Sequence, residues 1–456
     1  MSDLIISVSG LRGIVGCSLT PLVATRYVAA FASQLQEAMT GGRPRVIVGR
    51  DGRASGAVLR DVVVAALRGC GCDVLDADVA ATPSIGVLVR DRSADAAIQI
   101  TASHNPPEYN GIKLFDRSGR VLDATTGAAI RTAYQEGRAN WAVHDRLGDL
   151  ETIADPHAAH LAAVLATVDA ERIAGRRFRV LLDSNHGAGG ALGRRLLERL
   201  GCEVVMLGGD PDGLFAHVPE PTAENLQTVA AKTVSLGCQI GFCQDPDADR
   251  LALIDETGTY IGEEYTLAIC VQRALADPRT RGPIVINGAT SGMSERLAAD
   301  AGVVSHRSAV GEANVVDRML AVAATYGGEG NGGPIDPRVG LVRDSFVGIA
   351  QVLDLMAATG KSLTEIVAAL PRLAIEKSKV PLDADRLPEM LERIAAAFPD
   401  AAANRDDGLR MAWPDAWLLV RGSNTEPIVR MIAEAPTADR AAELCRIAAQ
   451  VVSPQP

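Results

Sequence analysis

Asp245, Asp247 and Asp249 alternate through the hexapeptide D-P-D-A-D-R, which ends in Arg250. Three carboxylates so close repel one another unless a cation neutralises them. Hard oxygen donors of this kind favour Mg²⁺, with a phosphate oxygen completing the shell, and Arg250 adds a rigid fork of donors for phosphate. A calcium-binding helix-loop-helix motif begins similarly. Its sixth position must be glycine, however, and here it is Arg250, between flanks that read as strands. A second segment, 101–113 (TASHNPPEYNGIK), sets the hydroxyl of Ser103 beside His104 and Asn105 directly after a predicted strand. Ligands bind beyond the carboxyl ends of such strands, and a hydroxyl there suits covalent phosphoryl transfer. Pro106 and Pro107 stiffen the turn, and Lys113 can return as an acid/base or a point charge.

The third segment, 327–334, reads GGEGNGGP. Positions 328–333 spell a nucleotide-binding glycine fingerprint, but Pro334, Asp336 and Pro337 stop a helix from starting in register. A flexible loop exposing Glu329 and Asn331 suits sugar hydroxyls, which both donate and accept hydrogen bonds. The fourth, 421–430 (RGSNTEPIVR), offers Arg421, Ser423, Asn424 and Thr425 with backbone N–H groups freed by Gly422. Such a set forms an anion nest for phosphate, with Arg430 a further candidate; a Ser/Asn helix cap is the plainer alternative. In the short run SGLRG, Arg12 stands between two glycines and can reach a phosphate on Ser103. Asp51 and Arg53 in GRDGRAS are read as a pair that orients the first domain. His306 is either a substrate contact or a structural histidine.

Alternating strand-like and helix-like stretches must position these segments. Helices are expected at 22–39 and 57–70, and strands at 45–49, 73–76 and 96–101. The pattern restarts with a strand at 178–183, helices near 190–200 and 222–236, and the strand QIGFCQD. It restarts again with a strand at 283–287 and helices at 291–301 and 344–358. Such alternation implies βαβ units in parallel or mixed sheets. The last ~85 residues read instead as a small α+β unit. Domains are expected at 1–150, 151–258, 259–372 and 373–456.

The bulk properties agree. A chain of 456 residues exceeds one ordinary core and calls for roughly three or four domains. A net charge of −11 repels nucleic acid and anionic lipid, so neither is expected as a partner. An anionic substrate then needs local Arg, Lys or metal charge. The opening MSDLIISVSG lacks a basic stretch before an apolar run, so no secretory leader is expected. No apolar run reaches the ~20 residues of a membrane span. The scattered cysteines read as free thiols in a reducing compartment, the cytoplasm.

Together these segments, in this order and over essentially the whole chain, resemble the α-D-phosphohexomutase superfamily. TASHNPPEYNGIK is similar to its phosphoserine loop, which makes Ser103 the phosphorylated residue, with Lys113, Arg12 and His104 beside it in catalysis. DPDADR is similar to its metal loop, which implies Mg²⁺ held by Asp245, Asp247, Asp249 and the phosphate on Ser103, with Arg250 binding phosphate. GEGNGG lies where its sugar-recognition loop is expected, and RGSNTEP resembles its phosphate loop. The resemblance implies three similar mixed-sheet α/β domains and a smaller C-terminal α+β domain around a central cleft. It also implies a hexose 1,6-bisphosphate as intermediate or activator, a sugar phosphate as small-molecule partner, and a monomer or homodimer. The form Gly-Glu-x-Asn-Gly-Gly resembles the archaeal-type phosphoglucosamine mutases more than branches with Glu-Met-Ser-Gly-His or Glu-Gln-Ser-Gly-His. The expected reaction is therefore exchange between hexosamine 6-phosphate and 1-phosphate, with glucose or mannose phosphate the alternative. A sugar-phosphate phosphatase or a non-catalytic binding protein is a more distant alternative.

Overall fold

A computed structural model describes residues 4–7, 10–39, 41–422 and 428–452. It contains four sheets in chain order. The first has seven strands. Arg45–Arg50 runs parallel to Asp73–Val79 and to Ala96–Ile100. Tyr109–Phe115 and Gly10–Ile14 then continue the sheet antiparallel. The second sheet has four strands, with Arg179–Asp183 parallel to Glu203–Leu207 and to Ile240–Gln244, and Leu251–Asp255 antiparallel at the edge. The third repeats this plan: Ile284–Asn287 is parallel to Ser305–Ser308 and Tyr326–Glu329, and Gly333–Ile335 returns antiparallel. The fourth sheet is wholly antiparallel and carries the helices Leu387–Ala397 and Ala438–Val452. Three mixed-sheet α/β units and a smaller α+β unit are therefore present.

This repeated plan explains where the chemistry-bearing segments fall. In each of the first three units one parallel strand turns directly back into an antiparallel neighbour. The three turns are 101–108, 245–250 and 330–332, which lie between paired strands. Each turn thus sits beyond the carboxyl end of a parallel strand, where backbone N–H groups and helix ends converge on a ligand. The strand Tyr109–Phe115 is not evident from its sequence, because YNGIKLF includes Asn and Gly, both poor strand formers. It forms because Ile112, Leu114 and Phe115 are buried.

The second and third units share a core. One apolar cluster runs from Phe178 and Leu182 through Phe242, Leu267 and Ile284 to Phe346 and Leu353. At its centre, the helix Ser345–Thr359 is buried along most of its length. Asp344 caps this helix by accepting from Phe346 N and Val347 N. Its second oxygen meets His160 Nε2 at 2.7 Å, and His160 Nδ1 lies 2.8 Å from Ser84 Oγ. One cap thus ties the first three units together. All eight cysteines are unpaired, with Cys17 exposed. Among the described residues no helix is long and apolar enough to cross a membrane.

Candidate active site

Ser103 sits in a left-handed backbone conformation, φ 49°. A non-glycine residue there costs about 1–2 kcal/mol, and its surroundings hold it. Thr101 Oγ donates to Asp51 at 2.7 Å and accepts from Ser103 N at 2.8 Å. Arg53, 1% exposed, reaches through the loop and donates to the carbonyls of Ser103 and Asn105, both at 2.6 Å, and of Pro106 and Tyr109. Asp51 Oδ2 lies 3.1 Å from Arg53 Nε and fixes that guanidinium. The expected pair is present, and it shapes the Ser103 loop itself. Arg53→Lys leaves most of these buried carbonyls unmatched. We expect a loss of about 3 kcal/mol in denaturant unfolding and about 100-fold in kcat from a misplaced loop. Wild-type stability in this variant would contradict that role.

Ser103 Oγ donates to Asp245 Oδ2 at 2.8 Å and lies 3.3 Å from His104 Nδ1. Burial, with Arg250 and Arg12 close by, pushes the His104 imidazole down to about 2, so the ring is neutral at physiological pH. Asp245, Asp247 and Asp249 are fully buried, and one oxygen from each lies within 4.8 Å of the others. The turn is held by Arg250 N, which donates to Asp245 Oδ1, and by Thr82, which bonds Asp247 through both its N–H and its hydroxyl. Lys113 Nζ donates to Asp247 at 3.2 Å and to Asp249 at 3.1 Å. Burial lowers the Lys113 pKa, but the two carboxylates outweigh it and the net shift is upward. Burial raises Asp245 far above the usual carboxylate range, with Asp247 and Asp249 adding repulsion. Asp247 Oδ1 and Asp249 Oδ1 are buried with no partner. Two orphaned hard oxygens beside a third carboxyl and a serine hydroxyl fit a small divalent cation.

Arg12 lies opposite Gly111 in the antiparallel pair, two positions from Lys113, so Arg12 and Lys113 project from one sheet face. Arg12 donates to Asn105 Oδ1 at 2.6 Å. Arg250 Nε is buried without a partner, 4.0 Å from Asp249 Oδ1.

The turn at 330–332 differs from the expected flexible loop. Glu329 ends a strand and is only 4% exposed. Its carboxylate accepts from Asn287 Nδ2 at 2.7 Å, Gly311 N at 3.1 Å and Arg343 at 2.9 Å, with Asn331 Nδ2 at 3.4 Å. These donors draw the acid inward, so it is not held out to solvent. Asn331 Oδ1 is buried without a partner. Arg343, missed in the sequence, joins three loops: it bonds Glu329, Asp249 at 2.6 Å and, through its N–H, Glu312 at 2.9 Å. Its only sequence signal is its place before the helix-capping Asp344.

In the fourth unit, Arg421 and Arg430 are direct cross-strand partners. Like charges directly opposite one another are unfavourable. Arg421 Nε lies 3.3 Å from Asp407, which accepts from Val310 N. A path therefore runs from Arg421 through Asp407 and the 310–311 backbone to Glu329, Arg343 and Asp249. Ser423, Asn424 and Thr425 lie outside the described residues. His306 stands apart, 3.4 Å from Arg318.

Four profiles, described as phosphoglucomutase/phosphomannomutase alpha/beta/alpha domains I, II and III and C-terminal domain, match residues 4–141, 155–258, 263–373 and 377–451. The chain belongs to the phosphoglucomutase/phosphomannomutase family. Such phosphohexomutases include a Thermococcus kodakarensis protein named "Phosphoglucomutase/phosphomannomutase", 36% identical over 95% of both chains. A Methanopyrus kandleri protein named "Probable phosphoglucosamine mutase" is 32% identical, over 96% of this chain and 95% of that one. A solved phosphoglucomutase/phosphomannomutase family protein from Burkholderia thailandensis superposes with a TM-score of 0.85 at 27% identity, covering 99% of both chains. The phosphohexomutase family and its four-unit architecture agree with the resemblance read from the sequence. The relatives carry both substrate names.

Proposed function

We propose that this phosphohexomutase interconverts hexosamine 6-phosphate and 1-phosphate through a phosphorylated Ser103 and a 1,6-bisphosphosugar. The observation that carries it is the Ser103 hydroxyl on Asp245, within a buried three-carboxylate cluster facing Lys113. In the resting enzyme Ser103 carries the phosphoryl group. Asp245, Asp247 and Asp249 would hold Mg²⁺, which would supply Lewis-acid polarisation of that group when bound. Arg421 and Arg430, with Ser423, Asn424 and Thr425, grip the phosphate already on the sugar. The free sugar hydroxyl attacks the phosphorus on Ser103; the P–O bond to Ser103 Oγ breaks, the hydroxyl proton ends on that oxygen, and Lys113, held as an ammonium by Asp247 and Asp249, steadies the charge on the oxygens in transfer. Arg12 and Arg250 balance charge on the transferring oxygens. Neutral His104 steers Ser103 Oγ. Asn331, whose buried Oδ1 has no partner, binds a sugar hydroxyl, and Glu329 reaches another by giving up its 3.4 Å bond from Asn331, in either orientation, so the bisphosphate can turn end for end. The second transfer then restores phospho-Ser103. Arg343 positions both Asp249 and Glu329, so that sugar and phosphoryl group share one frame.

A glucose or mannose substrate is the second reading, favoured by the name of the 36% identical Thermococcus relative. The test compares isomerisation of glucosamine 6-phosphate, glucose 1-phosphate and mannose 1-phosphate with Mg²⁺ and a trace of each bisphosphate. The highest kcat/KM is expected for the glucosamine compound. A preference for glucose or mannose would keep the mechanism and overturn the substrate. Steady release of inorganic phosphate without isomer would indicate a phosphatase.

A further inference from the structure

A cavity of about 420 Å³ lies beside the sugar turn, lined among others by Glu263, Glu264, Ser291, Gly330 and Lys377. Its size suits a small ligand. Glu263 and Glu264 open the helix Glu263–Ala276. First-turn acids normally face solvent and complement the helix end. These two are instead half-buried against the cavity, and Glu263 Oε1 is buried with no hydrogen-bond partner. Glu264 accepts from Ser291 N at 2.9 Å. Its carboxylate packs so tightly on the sugar turn that a Cβ at Gly330 would meet it at 1.9 Å. Gly330 therefore lets an acid stand directly behind the segment that carries Glu329 and Asn331.

The charges around this cavity do not cancel locally. No basic side chain lies within 4.0 Å of either acid among the described residues, although Arg250, Lys377 and Arg343 act on Glu263, and Lys377 on Glu264, from further off. Glu220 and Glu434 add negative charge. Burial pushes Glu263 up to about 7 and Glu264 up to about 8, and the distant cations offset it only in part. A buried carboxylate without a partner is costly, and a cationic ligand group removes that cost.

We infer that Glu263 and Glu264 form a subsite for the ammonium group of an amino-sugar phosphate, next to the sugar turn. This rests on the hexosamine reading above and supplies the residues that distinguish the amine from a hydroxyl. A site built to pair a charged substrate group discriminates strongly against the analogue lacking it.

The test measures kcat/KM for glucosamine 6-phosphate and glucose 6-phosphate in wild type, Glu263→Gln and Glu264→Gln, with thermal melts as the fold control. The ratio of glucosamine over glucose is expected to fall about tenfold or more in both variants. Glu263→Gln decides the matter if Glu264→Gln fails to fold, since Glu263 Oε1 has no hydrogen bond to lose. Calorimetric binding of both sugars to Ser103→Ala protein reads the subsite without turnover. Isomerisation without amine preference would overturn the subsite and leave the mutase standing. Amine-selective binding, weakened by Glu263→Gln in the Ser103→Ala background, without isomerisation would overturn the mutase reading and keep the subsite. Equal losses for both sugars would mean that Lys377 or the fold, not a ligand amine, is the partner of these acids.

Discussion

Ser103→Ala is expected to lose mutase turnover by about four orders of magnitude or more, the scale seen when a nucleophile is removed. The fold should survive. Alanine meets the same left-handed penalty that serine already bears at this position. Only the hydroxyl's bonds to Asp245 and His104 are lost. Asp245 keeps its bond from Arg250 N, so the stability change should stay within about 1–2 kcal/mol. Arg53 still holds the loop through its carbonyls, which substitution at Ser103 leaves in place. Circular dichroism and denaturant unfolding check the fold, and a coupled isomer assay checks turnover. Undiminished turnover would remove Ser103 from the chemistry.

The second large effect is expected at Asp247. Asp247→Asn removes one charge from three buried, mutually repelling carboxylates and leaves Thr82 a partner. The variant should therefore fold at least as well as wild type without added metal, while calorimetric Mg²⁺ binding falls below detection. Turnover should drop about 1,000-fold, corresponding to roughly 4 kcal/mol of lost charge stabilisation. Wild-type protein treated with a chelator should lose activity to a similar extent and regain it with Mg²⁺. Its melting temperature should also rise on adding Mg²⁺, because a ligand bound only by the folded state stabilises it; Asp247→Asn should not respond. Full activity in excess chelator would sink the cation's role, whatever the variant does.

The parts of this site that were legible in the sequence are those written contiguously. TASHNPP and DPDADR each carry their chemistry within a few residues, and each follows a recognisable apolar strand. Their meeting follows from a shared plan, since each turn joins a parallel strand to an antiparallel one. Arg343, Glu312 and Asn287 were not legible, because each is a lone polar residue whose role depends on loops far apart in the chain. Arg343 stands 94 positions from Asp249. Glu263 and Glu264 were hidden for a different reason: two acids at a helix start have an ordinary explanation, and only the unpartnered Glu263 oxygen and the close approach of Glu264 to Gly330 set them apart. The glycine-rich turn misled in the opposite direction. Its glycines read as flexibility, yet Gly332, with φ 80°, packs a tight hairpin against the Leu251 carbonyl. That closeness leaves Glu329 buried on its donors.

The central claim is phosphoryl transfer through Ser103, and following the phosphorus tests it most directly. The protein would be incubated with ³²P-labelled hexose 1,6-bisphosphate, digested and mapped by peptide. It would then be chased with unlabelled sugar 6-phosphate. Label on the peptide containing Ser103, discharged into sugar bisphosphate by the chase, is the predicted result. Label that never enters that peptide, or that leaves it only as inorganic phosphate, would contradict the account.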